Sequence, residues 1–214
     1  MRIVHAVHIF GTSQRHKNAQ LSWSRLYMQG VVPAHTSGYP RDAYNTIGDS
    51  RHLPYLRDII WNGWLLAKDD GVVIWTNDDI GLGAGIVDWV NGFVVQRGAM
   101  SMRRDESGHV GRDLFAFTSK WLKDNLDSIP DFIQGAPCFD LVLAALIRKQ
   151  HGIESTLGNL TQDIEPSESP HRLALHAPHP SEWAGAMEYK HPANLWNKKL
   201  AVEWCNKNMP SLQL

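Results

Sequence analysis

Asn77, Asp78 and Asp79 place three oxygen-bearing side chains directly after the apolar run Val72-Val73-Ile74-Trp75-Thr76. Carboxylate and amide oxygens are what a hard divalent cation takes as ligands. In open α/β sheets ligands sit outside the carboxyl ends of strands. The local chemistry therefore suggests a metal site and, through the metal, a phosphate. The same three residues also suit a polar turn, with an Asp capping the next helix. Gly81-Leu82-Gly83-Ala84-Gly85 follows and keeps the backbone accessible beside Asp79. Two more carboxylates stand at element ends: Asp113 opens an apolar run, and Asp140 falls in the first turn of a helix, where it also suits the helix dipole.

These groups need elements to hold them. Val72–Thr76 is β-branched or aromatic and reads as a strand buried on both faces. Arg2 to Phe10 reads as a first strand, interrupted by His5 and His8 and ended by Gly11-Thr12-Ser13-Gln14. That break suits a loop against which a ligand approaches the backbone, or a plain strand-to-helix turn. Arg15-His16-Lys17 reads as a solvated basic cluster. Leu21–Met28 has helical spacing with Gly30 as a stop, and Val31–His35 reads as a short edge strand. Thr36 to Asp49 is a long loop by domain standards. Leu53 to Lys68 places Leu53, Leu56, Ile60, Trp64 and Ala67 on one helical face.

Ile86 to Val95 suits a helix passing into a strand, and Arg97 to Gly111 is polar. Asp113–Phe117 is a short strand. Phe139, Val142, Leu143, Leu146 and Ile147 mark a helix after the Gly135-Ala136-Pro137 turn. Gln162 to Pro170 is a loop, Leu173–His176 a strand, and Pro192 to Met209 a closing helix. Alternating strands and helices imply an α/β protein with a largely parallel sheet, mixed by its later strands.

At 214 residues the chain suits one domain, residues 1–214, with a sizeable core. Its formal net charge of −1 gives no global basic field to attract nucleic acid or a membrane. Two cysteines are too few for a disulfide framework and suit a reduced, cytoplasmic setting. The N-terminus has no signal-peptide pattern, and no stretch reaches the roughly 18 apolar residues of a membrane span. Nine scattered tryptophans exclude a repeat, and some are expected to line a cleft.

Taken in order, the first strand and its loop, the helix carrying Leu53-Pro54 and Asp58, and Thr76-Asn77-Asp78-Asp79-Ile80 resemble the small GT-A fold glycosyltransferases. So do Asp113–Phe117, the stretch Gly135 to Asp140, and His176-x-x-His179-x-x-x-Trp183. The resemblance covers about Ile3 to Trp183. It implies a single GT-A-like (Rossmann-like) domain with a mostly parallel, mixed central sheet flanked by helices. It also implies a nucleotide-sugar donor, most simply a UDP-sugar, with Mn²⁺ or Mg²⁺ bridging the diphosphate and a DxD-type carboxylate.

Asp79 matches the metal-binding Asp of that motif, and Asn77 stands where a carboxylate is more usual. His8 and Phe10 match the place of the nucleotide base, and Arg57 and Asp58 a helix segment facing the donor. His176 or His179 matches a late metal ligand; Mn²⁺ accepts both oxygen and nitrogen. Displacement at an anomeric carbon needs a stabilised leaving group and, in an inverting enzyme, a carboxylate base. Asp140 is the first candidate for the base and Asp113 the second. The acceptor is a hydroxylated base in DNA, as in virus-type DNA modification, or a surface glycan precursor. For the DNA reading Arg15, Lys17, Arg97, Arg103 and Arg104 would form a local basic rim. Two other classes compete: a metal-dependent phosphoesterase or nuclease, and a non-catalytic sugar-binding module that stacks sugars on tryptophan.

Overall fold

The apolar run Val72–Thr76 forms strand β3, buried along its whole length. The computed structural model describes residues 1–35, 53–103, 112–150, 174–176 and 191–209. The chain divides into two compact units. The first comprises Met1–Ser37, Ile59–Leu126 and Asp163–Pro178; the second comprises Gly38–Asp58, Asp127–Gln162 and His179–Leu214.

The first unit carries a five-stranded sheet. Its strands are β1 (Ile3–Val7), β2 (Val32–His35), β3, β5 (Ala99–Arg103) and β6 (Arg112–Thr118), in the order β2-β1-β3-β6-β5. β1 pairs in parallel with β2 and β3, while β6 pairs antiparallel with both β3 and β5. The sheet is therefore evenly mixed rather than mostly parallel. The reason lies in β5, a strand inside the stretch read as polar. The connection from Arg103 to Arg112 is too short for a parallel crossover, so the pair must be antiparallel. A second, two-stranded sheet pairs β4 (Ile80–Leu82) with β7 (Ala174–His176).

Helix α1 (Gln14–Met28) starts about two turns earlier than its apolar spacing suggests. It buries His16, Ala19, Trp23 and Leu26 at helical intervals. On one sheet face these pack with Ile3, Val7, Val72, Ile74, Leu114 and Ala116. Trp89, Val90 and Val94 join that cluster from α3, which runs as Ile86–Trp89, a π turn Val90–Val94, and Val95–Arg97. No strand forms there before β5. Helix α2 (Leu56–Ala67) buries Leu56, Ile59, Ile60 and Ala67, close to the expected stripe.

Five tryptophans, 23, 75, 89, 121 and 204, are buried core residues rather than cleft walls. Trp75, Phe115, Phe117 and Trp121 form a run of ring contacts 5.0–6.2 Å apart. Trp121 belongs to α4 (Ser119–Asn125), and its backbone N–H donates to the capping Thr118 hydroxyl.

In the second unit, helices α5 (Phe139–Gln150) and α6 (Pro192–Asn208) follow their expected ranges closely. Phe139, Val142, Leu143, Leu146 and Ile147 are all buried, as their spacing requires. His191 caps α6, and Pro192 fits its first turn. Fully buried Asn197 accepts from the Ile133 N–H at 2.7 Å and donates to the carbonyls of Ile133 and Ala136 at 3.0 and 3.1 Å. It pins the turn that leads to Asp140. The loops at 36–49 and 162–170 lie outside the described residues. Among the described residues no helix is long and apolar enough to cross a membrane.

Gly63 separates two effects of opposite sign. A Cβ there would lie 2.8 Å from Val73 Cγ1 and 2.9 Å from Ala6 Cβ, because α2 rests directly on β1 and β3. Helix propensity alone makes Gly→Ala stabilising by about 1 kcal/mol. Overpacking costs about 1–3 kcal/mol. Gly63→Ala is expected to lower stability in urea unfolding; a gain would mean that α2 stands off the sheet.

Candidate functional site

The order β2-β1-β3 fixes where a ligand can enter. From β1 the chain moves through α1 to β2 on one side, then returns to β3 on the other. Such a reversal leaves a crevice at the carboxyl ends of the two central strands. Here those ends are Val7, leading into residues 8–13, and Thr76, leading into Asn77-Asp78-Asp79. β6 runs antiparallel, so its first residues lie at the same edge and bring in Asp113.

Asp78 joins the two loops. Its side chain is 2% exposed, and its Oδ2 accepts from the backbone N–H of Phe10 at 3.0 Å and of Gly11 at 2.7 Å. His16 Nε2 lies 3.6 Å from Oδ1, and the other ring nitrogen is 2.7 Å from the Ser13 hydroxyl. A Cβ on Gly11 would overlap the His16 ring, so the loop closes down only on glycine. Phe10 is 46% exposed, and its ring stacks on His8 with centroids 6.0 Å apart.

Asp79 turns the other way, to Arg15 Nε at 3.5 Å, both side chains being largely covered. Asn77 donates its side-chain N–H to Asp113 Oδ1 at 2.6 Å, and its backbone N–H to the Asp113 carbonyl at 3.2 Å. Asp113 is buried. In the β4–β7 ladder His176 stands opposite Ile80, the residue after Asp79. His179 lies outside the described residues. Arg15 would compete with any bound cation for the Asp79 carboxylate. Among the described residues no three of His, Cys, Asp and Glu group as a metal site.

His8, Phe10, Asn77, Asp78, Asp79 and Asp113 are thus brought to one edge of the first unit, with His176 in register beside them. Arg57, Asp58 and Asp140 belong to the second unit. Arg57 pairs with Asp131 at 2.6 Å, and Asp140 lies half-buried in the first turn of α5.

The composition pattern did not reveal Arg15 and His16 as partners of the two Asp side chains. Their place one turn after Gly11-Thr12-Ser13 was the available signal. A buried polar chain also went unread. His5, fully buried in β1, has Nε2 2.9 Å from the Thr76 hydroxyl and Nδ1 2.8 Å from the Tyr27 hydroxyl. Tyr27 continues to His35 Nε2 at 2.7 Å. The chain ends at Thr76, the residue before Asn77. No protein-family model, curated protein or solved structure matches this chain.

The polar chain makes stability depend on pH. Burial, then the neighbouring His35, lowers the His5 pKa from 6.5 to about 3. Burial also lowers the pKa of His35 and raises that of Tyr27. The unfolded chain takes a proton on His5 near pH 6.5, and the folded chain stays neutral until about pH 3. Stability is therefore full above 6.5 and falls below it, by about 1.4 kcal/mol per pH unit for His5 alone. Urea unfolding between about pH 7.5 and about pH 5 should show this fall, flattened in His5→Gln. An unchanged slope in the variant would assign the acid sensitivity to other groups.

Proposed function

We propose that this chain is a nucleotide-sugar-dependent glycosyltransferase that binds its donor at the carboxyl ends of β1 and β3. The observation that carries the reading is the meeting of the 8–13 loop, Asn77-Asp78-Asp79 and Asp113 at the point where strand order reverses. The α/β architecture with a five-stranded mixed sheet is compatible with a Rossmann-like donor domain. The GT-A assignment within that class is part of the proposal.

In this reading the exposed Phe10 ring, backed by His8, stacks the nucleobase. Asp78 holds the loop in place for it. Asp79, with His176 or His179, would hold Mn²⁺ or Mg²⁺, which stabilises the charge developing on the diphosphate leaving group. Asp113, fixed by Asn77, holds a sugar hydroxyl or serves as the second choice of base. Asp140 is the first choice, taking the proton from the acceptor hydroxyl. The acceptor is a hydroxylated base in DNA or a glycan precursor. The phosphoesterase reading needs more converging carboxylates than the described residues supply. The sugar-binding reading needs tryptophan platforms, and five of the nine are core.

Thermal stabilisation by UDP with Mn²⁺, greater than by either alone, is the expected first result. Asp79→Ala should remove the Mn²⁺-dependent part, with circular dichroism checking that the fold is retained. Stabilisation by free glycan without nucleotide would instead favour the binding module. Product mass from a panel of nucleotide sugars with both acceptor types identifies the reaction.

Asp140→Asn keeps size and most of the helix-dipole effect, worth about 0.3–1 kcal/mol at an exposed site. A general base contributes about 10²–10⁴ in rate. Turnover should fall by that order with donor affinity unchanged. Turnover within a few-fold of wild type would make Asp140 structural and move the base to Asp113.

A further inference from the structure

The sequence places His16 in the basic cluster Arg15-His16-Lys17, but the fold buries it at 6% exposure. Its ring spans two partners. Nδ1 lies 2.7 Å from the Ser13 hydroxyl, and Nε2 lies 3.6 Å from Oδ1 of Asp78, whose side chain is 2% exposed. The other Asp78 oxygen accepts from the backbone of Phe10 and Gly11, so Oδ1 is the one that faces the imidazole. A serine, a histidine and a buried carboxylate thus stand in line, with exposed Ser13 at the solvent end.

Helix capping does not explain the serine. Ser13 occupies the N-cap of α1, a place from which a serine hydroxyl ordinarily accepts a backbone N–H of the first turn. Here the hydroxyl makes no such bond and turns to the imidazole instead. The ring is also held in place, because it lies against Gly11 where a Cβ would overlap it. Proton positions follow from the partners. A carboxylate accepts hydrogen bonds, so the ring nitrogen facing Asp78 carries the hydrogen. Nδ1 then offers its lone pair, and the Ser13 hydroxyl donates to it. That is the polarity in which an imidazole takes a proton from a serine. Compared with the usual Ser-His-Asp triad the two ring nitrogens exchange places, and the order of the three groups is kept. The Nε2–Oδ1 separation is longer than a hydrogen bond and would shorten as the ring takes up the proton.

The surroundings suit an ester. Ile9 and Phe10, both exposed, lie on the loop that leads to Ser13 and offer an apolar surface to an acyl chain. The first N–H groups of α1 stand at its positive end beside Ser13, and no acidic residue lies in that first turn to oppose a developing oxyanion.

We propose that Ser13, His16 and Asp78 form a nucleophilic site that cleaves carboxylic esters with a short apolar acyl group. Ser13 Oγ forms a bond to the ester carbonyl carbon while His16 Nδ1 takes the hydroxyl proton. The carbonyl oxygen gains negative charge beside the first-turn N–H groups. The bond to the alcohol oxygen then breaks, and the alcohol leaves with the proton from His16. Water repeats the sequence on the acyl-serine: it gives a proton to His16, its oxygen bonds to the acyl carbon, and Ser13 leaves with the proton. Ester and water become acid and alcohol, with no further reactant. Asp78 touches no substrate and is a positioning residue. The proposal does not rest on the nucleotide-sugar reading, which UDP with Mn²⁺ tests separately.

The test treats the full chain with a tagged fluorophosphonate, in which an activated serine oxygen displaces fluoride from phosphorus, and maps the labelled peptide by mass. The label should fall on Ser13 and be lost in His16→Gln. Hydrolysis of p-nitrophenyl butyrate should fall by about 100-fold or more in Ser13→Ala and by about 10²–10⁴ in His16→Gln. Ser13→Ala removes no helix cap, and circular dichroism checks the fold of both variants. Should His16→Gln fail to fold, wild-type labelling and Ser13→Ala decide the matter. No label on Ser13, or hydrolysis in Ser13→Ala within about twofold of wild type, overturns the proposal and makes the Ser13–His16 bond structural.

Discussion

A buried carboxylate needs hydrogen bonds to remain charged away from water, and Asp78 obtains them from the backbone of another loop. The N–H groups of Phe10 and Gly11 converge on one oxygen. This ties the end of β1 to the end of β3 across the gap where a ligand would enter. Phe10 stays exposed because its backbone is held, and Arg15 can reach Asp79 because the loop before α1 is fixed. Gly11 makes the contact possible, since any side chain there would displace His16 and loosen the clasp.

Much of this architecture is legible from periodicity. β3 is an unbroken apolar run and could hardly be anything else. The stripe of α5 lies where its spacing puts it. What periodicity could not supply was strand direction and strand β5, because Ala99–Arg103 has no unbroken apolar run and lies close to charged residues. The start of α1 escapes periodicity for a related reason. Its first turn, Gln14 to Lys17, is polar, and the buried residue there is a histidine rather than an aliphatic side chain. At the candidate site, composition marked Asn77, Asp78 and Asp79 as one group. The structure gives each a different partner: Asp113, the Phe10–Gly11 backbone, and Arg15. Those partners lie far along the chain, where no local pattern can pair them.

The same limit applies to His5. In sequence it interrupts a strand. In the fold it is a buried polar group whose ring nitrogens meet Thr76 and Tyr27. Trp23 packs edge-on at 4.8 Å and seals it from water. A neutral imidazole offers one donor and one acceptor, which matches a hydroxyl on either side. The polar chain holds the last residue of β3 immediately before the acidic segment begins, so core packing and site geometry share one set of bonds.

Asn77 closes the argument about charge. In the proposed DxD-type reading a carboxylate is the more usual residue at position 77, and in isolation the amide looks like a weakened site. Here its Nδ2 donates to Asp113 at 2.6 Å, and Asp113 is buried. A carboxylate in that place would set two anionic oxygens against each other in low dielectric, and one would have to take up a proton. The amide instead donates a hydrogen bond to the Asp113 carboxyl. Asp78 is held by the backbone of Phe10 and Gly11, Asp113 by Asn77, and Asp79 faces Arg15. The Asp79–Arg15 ion pair therefore stands beside the Asp78 clasp, and the bonds that tie the two loops together are those of Asp78.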